Sequence, residues 1–186
     1  MLLNGVRLAN ERARQNAGRE GEFVMPVSLR KSMQLVSDPR NLDVSVEEVF
    51  QLMLGLKCNR GEVPTGDQGS ESVTAVVGFG GLLSGACVFQ TGGDSAMKIA
   101  AHMTGMEFTT VDDTVKDAVG EICNMLAGAW KGRVPELAAH CGLSVPAVIT
   151  GNNYHLHVQA PEFQLHHDYR FEDSGFSVTI VCDGLQ

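Results

Sequence analysis

The sequence predicts an α+β domain, an antiparallel sheet with long helices packed on one side, in the order α-β-β-α-α-β-β-β. Three observations lead there. Apolar residues recur at helical spacing from Thr109 to Gly132. Two strand-like runs, SVTAVVGFG and LLSGACVFQ, meet at a pair of glycines as the arms of a hairpin do. The strand runs are joined by turns rather than by regular helical crossovers, which disfavours a parallel sheet.

Taken in order, Val46, Val49, Met53 and Leu56 give the first helical stripe, between Val44 and Lys57. GEVPTGDQG is a loop of turn residues, and Gly80-Gly81 divides the hairpin that follows. GGDSAMKIAAHMTGM reads as a short helix capped by Asp94 or Ser95. TTVDDTVKDAVGEICNMLAGAWKG is the long helix, with Thr110 as its expected cap and Asp113 three residues later in a box-like position. VPELAAHCGLSVPAVITG reads as a helix end and a loop leading into a short strand. HLHVQAPEFQLHHDYRF and GFSVTIVCD supply the last strands, with EDSG as the turn between them.

The chain has 186 residues, 44% apolar and 19% charged, enough for one ordinary globular core. No run approaches the roughly 20 apolar residues of a membrane span, and the N-terminus lacks the apolar stretch of a secretory signal. The five cysteines show no CxxC spacing and read as reduced core thiols, so a cytoplasmic protein is expected. Residues 1–40 hold seven Lys or Arg against four acids, whereas the remaining 146 residues hold seven bases and eighteen acids. An acidic body argues against nucleic acid and against insertion into an anionic membrane, and suits a partner that presents a cation. Residues 1–41 are expected to be a flexible basic tail, bounded by the turn-like SDPRN, and 42–186 to be the folded domain. Met25-Pro26 leaves open a shorter natural start.

The two faces of the long helix differ sharply. With Glu121 at 0° and 100° per residue, Val115, Ala118, Val119, Ile122, Met125, Leu126 and Ala129 fall between roughly 40° and 160°. Asp113, Asp117, Gly120, Asn124, Gly128 and Lys131 fall between roughly 260° and 340°. A solvated face would carry Ala, Lys or Glu where this one carries two glycines. Each glycine costs about 1 kcal/mol against alanine, and glycines beside a polar pair suggest that another molecule's backbone comes close. The motif also has an echo: EEVFQLMLG (47–55) aligns without gaps on GEICNMLAG (120–128), placing Glu48 on Glu121, Gln51 on Asn124 and Gly55 on Gly128. The match suggests a duplicated unit.

GMEFTTVDDTVKDAVGEICNMLAG resembles the signature helix of the CheX/CheC-type chemotaxis phosphatases. The glycine-divided hairpin before it and PAVITG after it are similar to the same family. The likeness spans roughly residues 42 to 184 and is nearest the single-site CheX branch. It implies a CheX-like domain that hydrolyses the aspartyl phosphate of a CheY-like receiver. By position, the resemblance makes Glu121 and Asn124 the catalytic pair: Asn124 would orient the attacking water, and Glu121 would pair with the receiver's lysine. Asp117, Gly120, Gly128 and Lys131 would flank the pair at the docked surface. Glu48 and Gln51 fall where CheC-type members carry another site, but glutamine departs from the motif, so this copy is read as degenerate. No cofactor of the chain's own is implied, since Mg²⁺ would come with the phosphorylated receiver. The family likeness also suggests a homodimer.

Other groupings carry less. His155 and His157 alternate on an expected strand, and His166-His167-Asp168 lies on the next, but ordinary strand histidines account for both and no metal site is assigned. FGGLLSG and TGGDS match no phosphate-binding spacing and read as turns. No spacing gives Cys123, or Cys141 beside His140, a histidine base. Two competing readings are a non-catalytic module that docks a receiver or a flagellar switch component through the same face, and a structural module that self-associates.

Overall fold

SDPRN, expected as a boundary turn, starts a helix. In the computed structural model, which describes residues 34–63, 71–152, 154 and 161–185, Asp38 is the N-cap of α1 (Pro39–Met53), its carboxylate accepting from the Arg40 N–H at 3.0 Å. Pro39 opens the helix, where its missing N–H leaves no bond unmade. Val36 is fully buried. The boundary expected at Leu42 is therefore corrected to a point before Val36. A chain begun at Leu42 would lose a core side chain and a cap worth about 1 kcal/mol. Residues 1–33, most of the expected tail, lie outside the described residues.

After α1 come β1 (Asn59–Arg60), β2 (Ser72–Gly81), β3 (Leu83–Gly92), α2 (Gly93–Thr104) and α3 (Asp113–Gly132). They are followed by α4 (Pro135–His140), β4 (Cys141–Leu143), β5 (Ala147–Gly151), β6 (Phe163–Phe171) and β7 (Ser174–Leu185). This is the expected α+β order with β1, α4 and β4 added, elements of two to six residues that are too short to show a period. Two caps differ from expectation. Asp112, not Thr110, caps α3, its carboxylate accepting from the Val115 N–H at 3.0 Å. Gly92 opens α2 with no side-chain cap, leaving Asp94 inside the first turn.

All strand pairs are antiparallel, in the order β1-β6-β7-β3-β2, with β4 and β5 both on the far edge of β2. Alternate residues share a sheet face. Val73, Ala75, Val77 and Phe79 of β2 lie buried with Cys87 and Phe89 of β3 and with Phe176, Val178 and Ile180 of β7, forming the floor on which the helices sit. Phe176 centres this layer, stacking on Phe50 of α1 at 4.5 Å and on Phe89 at 4.9 Å. A polar clasp also holds α1: Asp43 Oδ1 accepts from the Tyr169 hydroxyl at 2.8 Å and lies 2.8 Å from His167 Nδ1. Burial and Asp43 together push the Tyr169 phenol up, keeping it a neutral donor.

The topology reads alike from both ends. One half runs α1-β1-β2-β3 and the other α3-β5-β6-β7, with β3 and β7 paired at the centre. Each half's edge strand crosses to the other half, β1 to β6 and β5 to β2. The duplication suggested by nine residues of sequence thus extends to six of the sheet's seven strands, and it sets α1 and α3 side by side.

All five cysteines are buried and free. Burial, aided by nearby carboxylates, pushes the Cys58 and Cys182 thiols up to about 12. Native protein at pH 8 is expected to resist iodoacetamide at every cysteine and to label fully once unfolded; a fast-labelling native thiol would contradict this. These raised pKa values favour the folded state below the ordinary thiol value. The contribution is lost as pH rises from about 9 towards 12, so stability should fall across that window.

Candidate active site

The long helix α3 has 20 residues, and its apolar stripe is buried as the pattern predicts: Val115, Val119, Ile122, Leu126 and Trp130 all sit in the core. Cys123 is buried beside them, its thiol 3.5 Å from the Ala75 carbonyl, which removes it from any surface chemistry. On the other side Glu121 and Asp117 are exposed and Asn124 is half-buried. Glu121 and Asn124 are i, i+3 neighbours whose side chains lean the same way. Among the described residues, no hydrogen bond or ion pair engages either one. A shallow groove of about 370 Å³ runs beside Glu121, lined by Lys116, Asp117, Gly120, Glu121, Pro146 and Val148. The half-buried Lys116 pairs with Asp113 at 3.0 Å, leaving Asp117 and Glu121 as the free charges at the groove.

Gly120 serves another purpose than the one expected of it. It is buried, and an alanine Cβ there would lie 3.3 Å from both Pro146 Cβ and Val148 Cγ2. The chain's own edge segment, not another molecule, fills the space that the missing side chain leaves. Gly128 is looser: its added Cβ would meet only Leu143 Cδ1, at 3.9 Å. Gly128→Ala is therefore expected to raise stability by about 1 kcal/mol, the helix propensity gain. Gly120→Ala should gain less or lose, since Pro146 has little room to yield. Thermal melts that rank the two variants the other way would contradict the packing described here.

Lys131, placed by sequence at the docked surface, faces its own chain. Its ammonium donates to the Cys141 carbonyl at 2.7 Å and the Ala138 carbonyl at 3.3 Å, tying down the turn from α4 to β4. That expectation is corrected, because the cation already serves two carbonyls.

The equivalent face of α1 is built differently. A cavity of about 590 Å³ is lined by Val44, Glu47, Glu48, Gln51, Leu56, Lys57, Cys58 and Asn59. It exceeds the α3 groove in volume, but Glu48, the carboxylate that aligns with Glu121, is engaged. Arg133 donates to Glu48 Oε2 at 2.5 Å and to Ser45 Oγ at 2.9 Å. Gly55 does not repeat the role of Gly128. It adopts φ 68° just past the end of α1, whereas Gly128 lies inside a continuing helix. Sequence reasoning missed Arg133, since nothing local signals a pairing 85 residues away.

The histidine groupings separate. His166 and His167 are successive strand residues on opposite faces: His166 Nδ1 lies 2.8 Å from Thr179 Oγ1, and His167 joins the Asp43 clasp. His155 and His157 lie outside the described residues. Among the described residues no three His, Cys, Asp or Glu side chains are placed to hold a metal, and no helix is long and apolar enough to cross a membrane.

Comparison with known proteins gives the family and the fold. A curated relative, the CheY-P phosphatase CheX of Thermotoga maritima, is 29% identical over 112 residues, covering 59% of this chain and 72% of that one. The fold is similar to that of the chemotaxis protein CheX from Vibrio vulnificus, with a TM-score of 0.66 at 19% identity over 79% of this chain and 97% of that one. It is also similar to CheX in the CheX–CheY–BeF₃–Mg²⁺ complex from Borrelia burgdorferi, with a TM-score of 0.61 at 19% identity over 77% and 96%. The model of the family described as chemotaxis phosphatase CheX matches residues 73–168, a span that contains α3 with its free Glu121 and Asn124 and the edge segment against it, and the chain belongs to that family.

Proposed function

We propose that the chain is a phosphatase that hydrolyses the aspartyl phosphate of a CheY-like receiver domain, with Asn124 orienting the attacking water and Glu121 pairing with the receiver's lysine. One observation carries the assignment of the pair. Of the two helix faces bearing a carboxylate and an amide, that of α3 leaves both side chains without a partner among the described residues, whereas that of α1 spends its carboxylate on Arg133. Family membership supports the reaction, as do the CheY-P phosphatase named in Thermotoga maritima and the CheY-bound relative in Borrelia burgdorferi.

The substrate is the receiver with its own Mg²⁺ and lysine. Water must attack phosphorus in line with the departing aspartate oxygen; the P–O bond breaks, leaving inorganic phosphate and a free carboxylate. A carboxamide suits the water because it accepts and donates at one place and carries no charge to repel the phosphoryl oxygens. Glu121 stays on the lysine side, where an anion attracts instead of repelling.

Phosphate release from a phosphorylated CheY-like receiver tests this directly. The protein is expected to raise release well above the spontaneous rate, and an unchanged rate would reduce the face to a docking surface. Glu48→Ala and Gln51→Ala should leave release within about twofold of wild type, and the loss of the part-exposed Arg133 pair should cost under about 1 kcal/mol of stability. A tenfold loss of release at either position would restore α1 as a working site.

A further inference from the structure

β4 and β5 both pair with β2, but their registers differ by one residue. Leu143 sits opposite Phe79 and Ala147 opposite Val76, so three residues, Ser144 to Pro146, span the two positions Gly78 and Val77. Ser144 takes the Gly78 position, exchanging backbone and hydroxyl bonds with it at 2.9 Å each. Val145 and Pro146 are left opposite Val77, a one-residue bulge at the sheet edge. Bulges of this kind re-aim a side chain and gather beside active sites.

The bulge is set against α3. Leu143 lies over Gly128 and Pro146 against Gly120. Gly120, Asn124 and Gly128 follow one another at i, i+4 and i+8 on one stripe of the helix. Val145 lies in the chain between these two contacts, on the segment that borders the stripe carrying Asn124. It is 86% exposed, the most exposed large apolar side chain among the described residues. The next residue is Pro146, which biases Val145 towards extended backbone, and the branched side chain of Val145 has little rotamer freedom to lose on docking.

We infer that Val145 is a specificity-determining contact for the receiver, an apolar anchor at the rim of the site that buries itself on an aliphatic patch beside the receiver's phosphorylated aspartate. The inference rests on the proposed function and deepens it. α3 supplies charge and amide, the bulge supplies apolar grip, and Gly120 lets Pro146 pack close enough for both walls to meet one partner together. Val145 touches neither water nor phosphate, so it acts on affinity and leaves the chemical step alone.

The test is titration of a CheY-like receiver carrying beryllofluoride and Mg²⁺, paired with phosphate release at saturating receiver and a thermal melt of each variant. Val145→Ala should weaken binding about fivefold and Val145→Asp about twentyfold or more, with turnover at saturation within twofold of wild type. Leu52→Asp, at a 73% exposed site on α1, should bind as wild type does. Wild-type affinity in both Val145 variants, or an equal loss in Leu52→Asp, overturns the inference while the functional reading stands. Should Val145→Asp unfold, Val145→Ala decides alone. A wild-type protein that neither binds nor dephosphorylates the receiver overturns both.

Discussion

Asn124→Ala is expected to lower phosphate release from a phosphorylated receiver by about a hundredfold, a loss of roughly 2.7 kcal/mol of transition-state stabilisation. The amide's interaction with water matters when the water attacks, so the loss should fall on turnover and leave the affinity for receiver nearly unchanged. The fold should not register the change. Asn124 is only half-buried, and among the described residues its side chain makes no bond that would be broken. Asn124→Asp is a sharper variant, because it keeps the shape but adds a charge that repels the phosphoryl oxygens. It should fall at least as far as alanine. Single-turnover release alongside a binding titration separates the two effects.

Glu121→Lys is the second large effect. Glu121 lies exposed at the groove, with no described side chain engaging it, so its partner must come from outside if it has one. Pairing with the receiver's lysine exists as soon as the two proteins dock, so Glu121→Ala should raise KM about tenfold as well as slow the reaction. Lysine at 121 sets two cations together where the wild type has a pair, and kcat/KM should fall about a hundredfold or more. Rising salt should weaken wild-type binding and narrow the gap between wild type and Glu121→Lys, since both attraction and repulsion are screened within about 10 Å at 0.1 M. A lysine variant that binds as tightly as wild type at low salt would remove the ion pair from the account.

The parts of this molecule that could be read from sequence are those whose cause is local. The stripe of α3 shows because 20 residues give the 3.6-residue period time to repeat, and the β2–β3 hairpin shows because a turn needs its glycines. The polar stripe that carries Glu121 and Asn124 was legible for the same reason: it holds no large apolar residue and lies opposite a buried apolar stripe. What stayed hidden depends on contacts that no local period or turn signal announces. Asp38-Pro39 carries the chemistry of a cap and a first turn as well as that of a bend, and only the burial of Val36 shows which applies. Gly120 looked like an opening because nothing in the sequence places Pro146 and Val148 against it. Lys131 looked free because the carbonyls it caps belong to a turn 7 and 10 residues on. The bulge at Val145 appears only once the registers of β4 and β5 are laid against β2.

The central claim is that the free face of α3 does the chemistry, and single-turnover decay of a phosphorylated CheY-like receiver at saturating protein tests it most directly. Wild type and Glu48→Ala should both speed decay well beyond the spontaneous rate, while Asn124→Ala, bound to the same extent, should leave it close to spontaneous. Decay in Asn124→Ala as fast as in wild type would contradict the account.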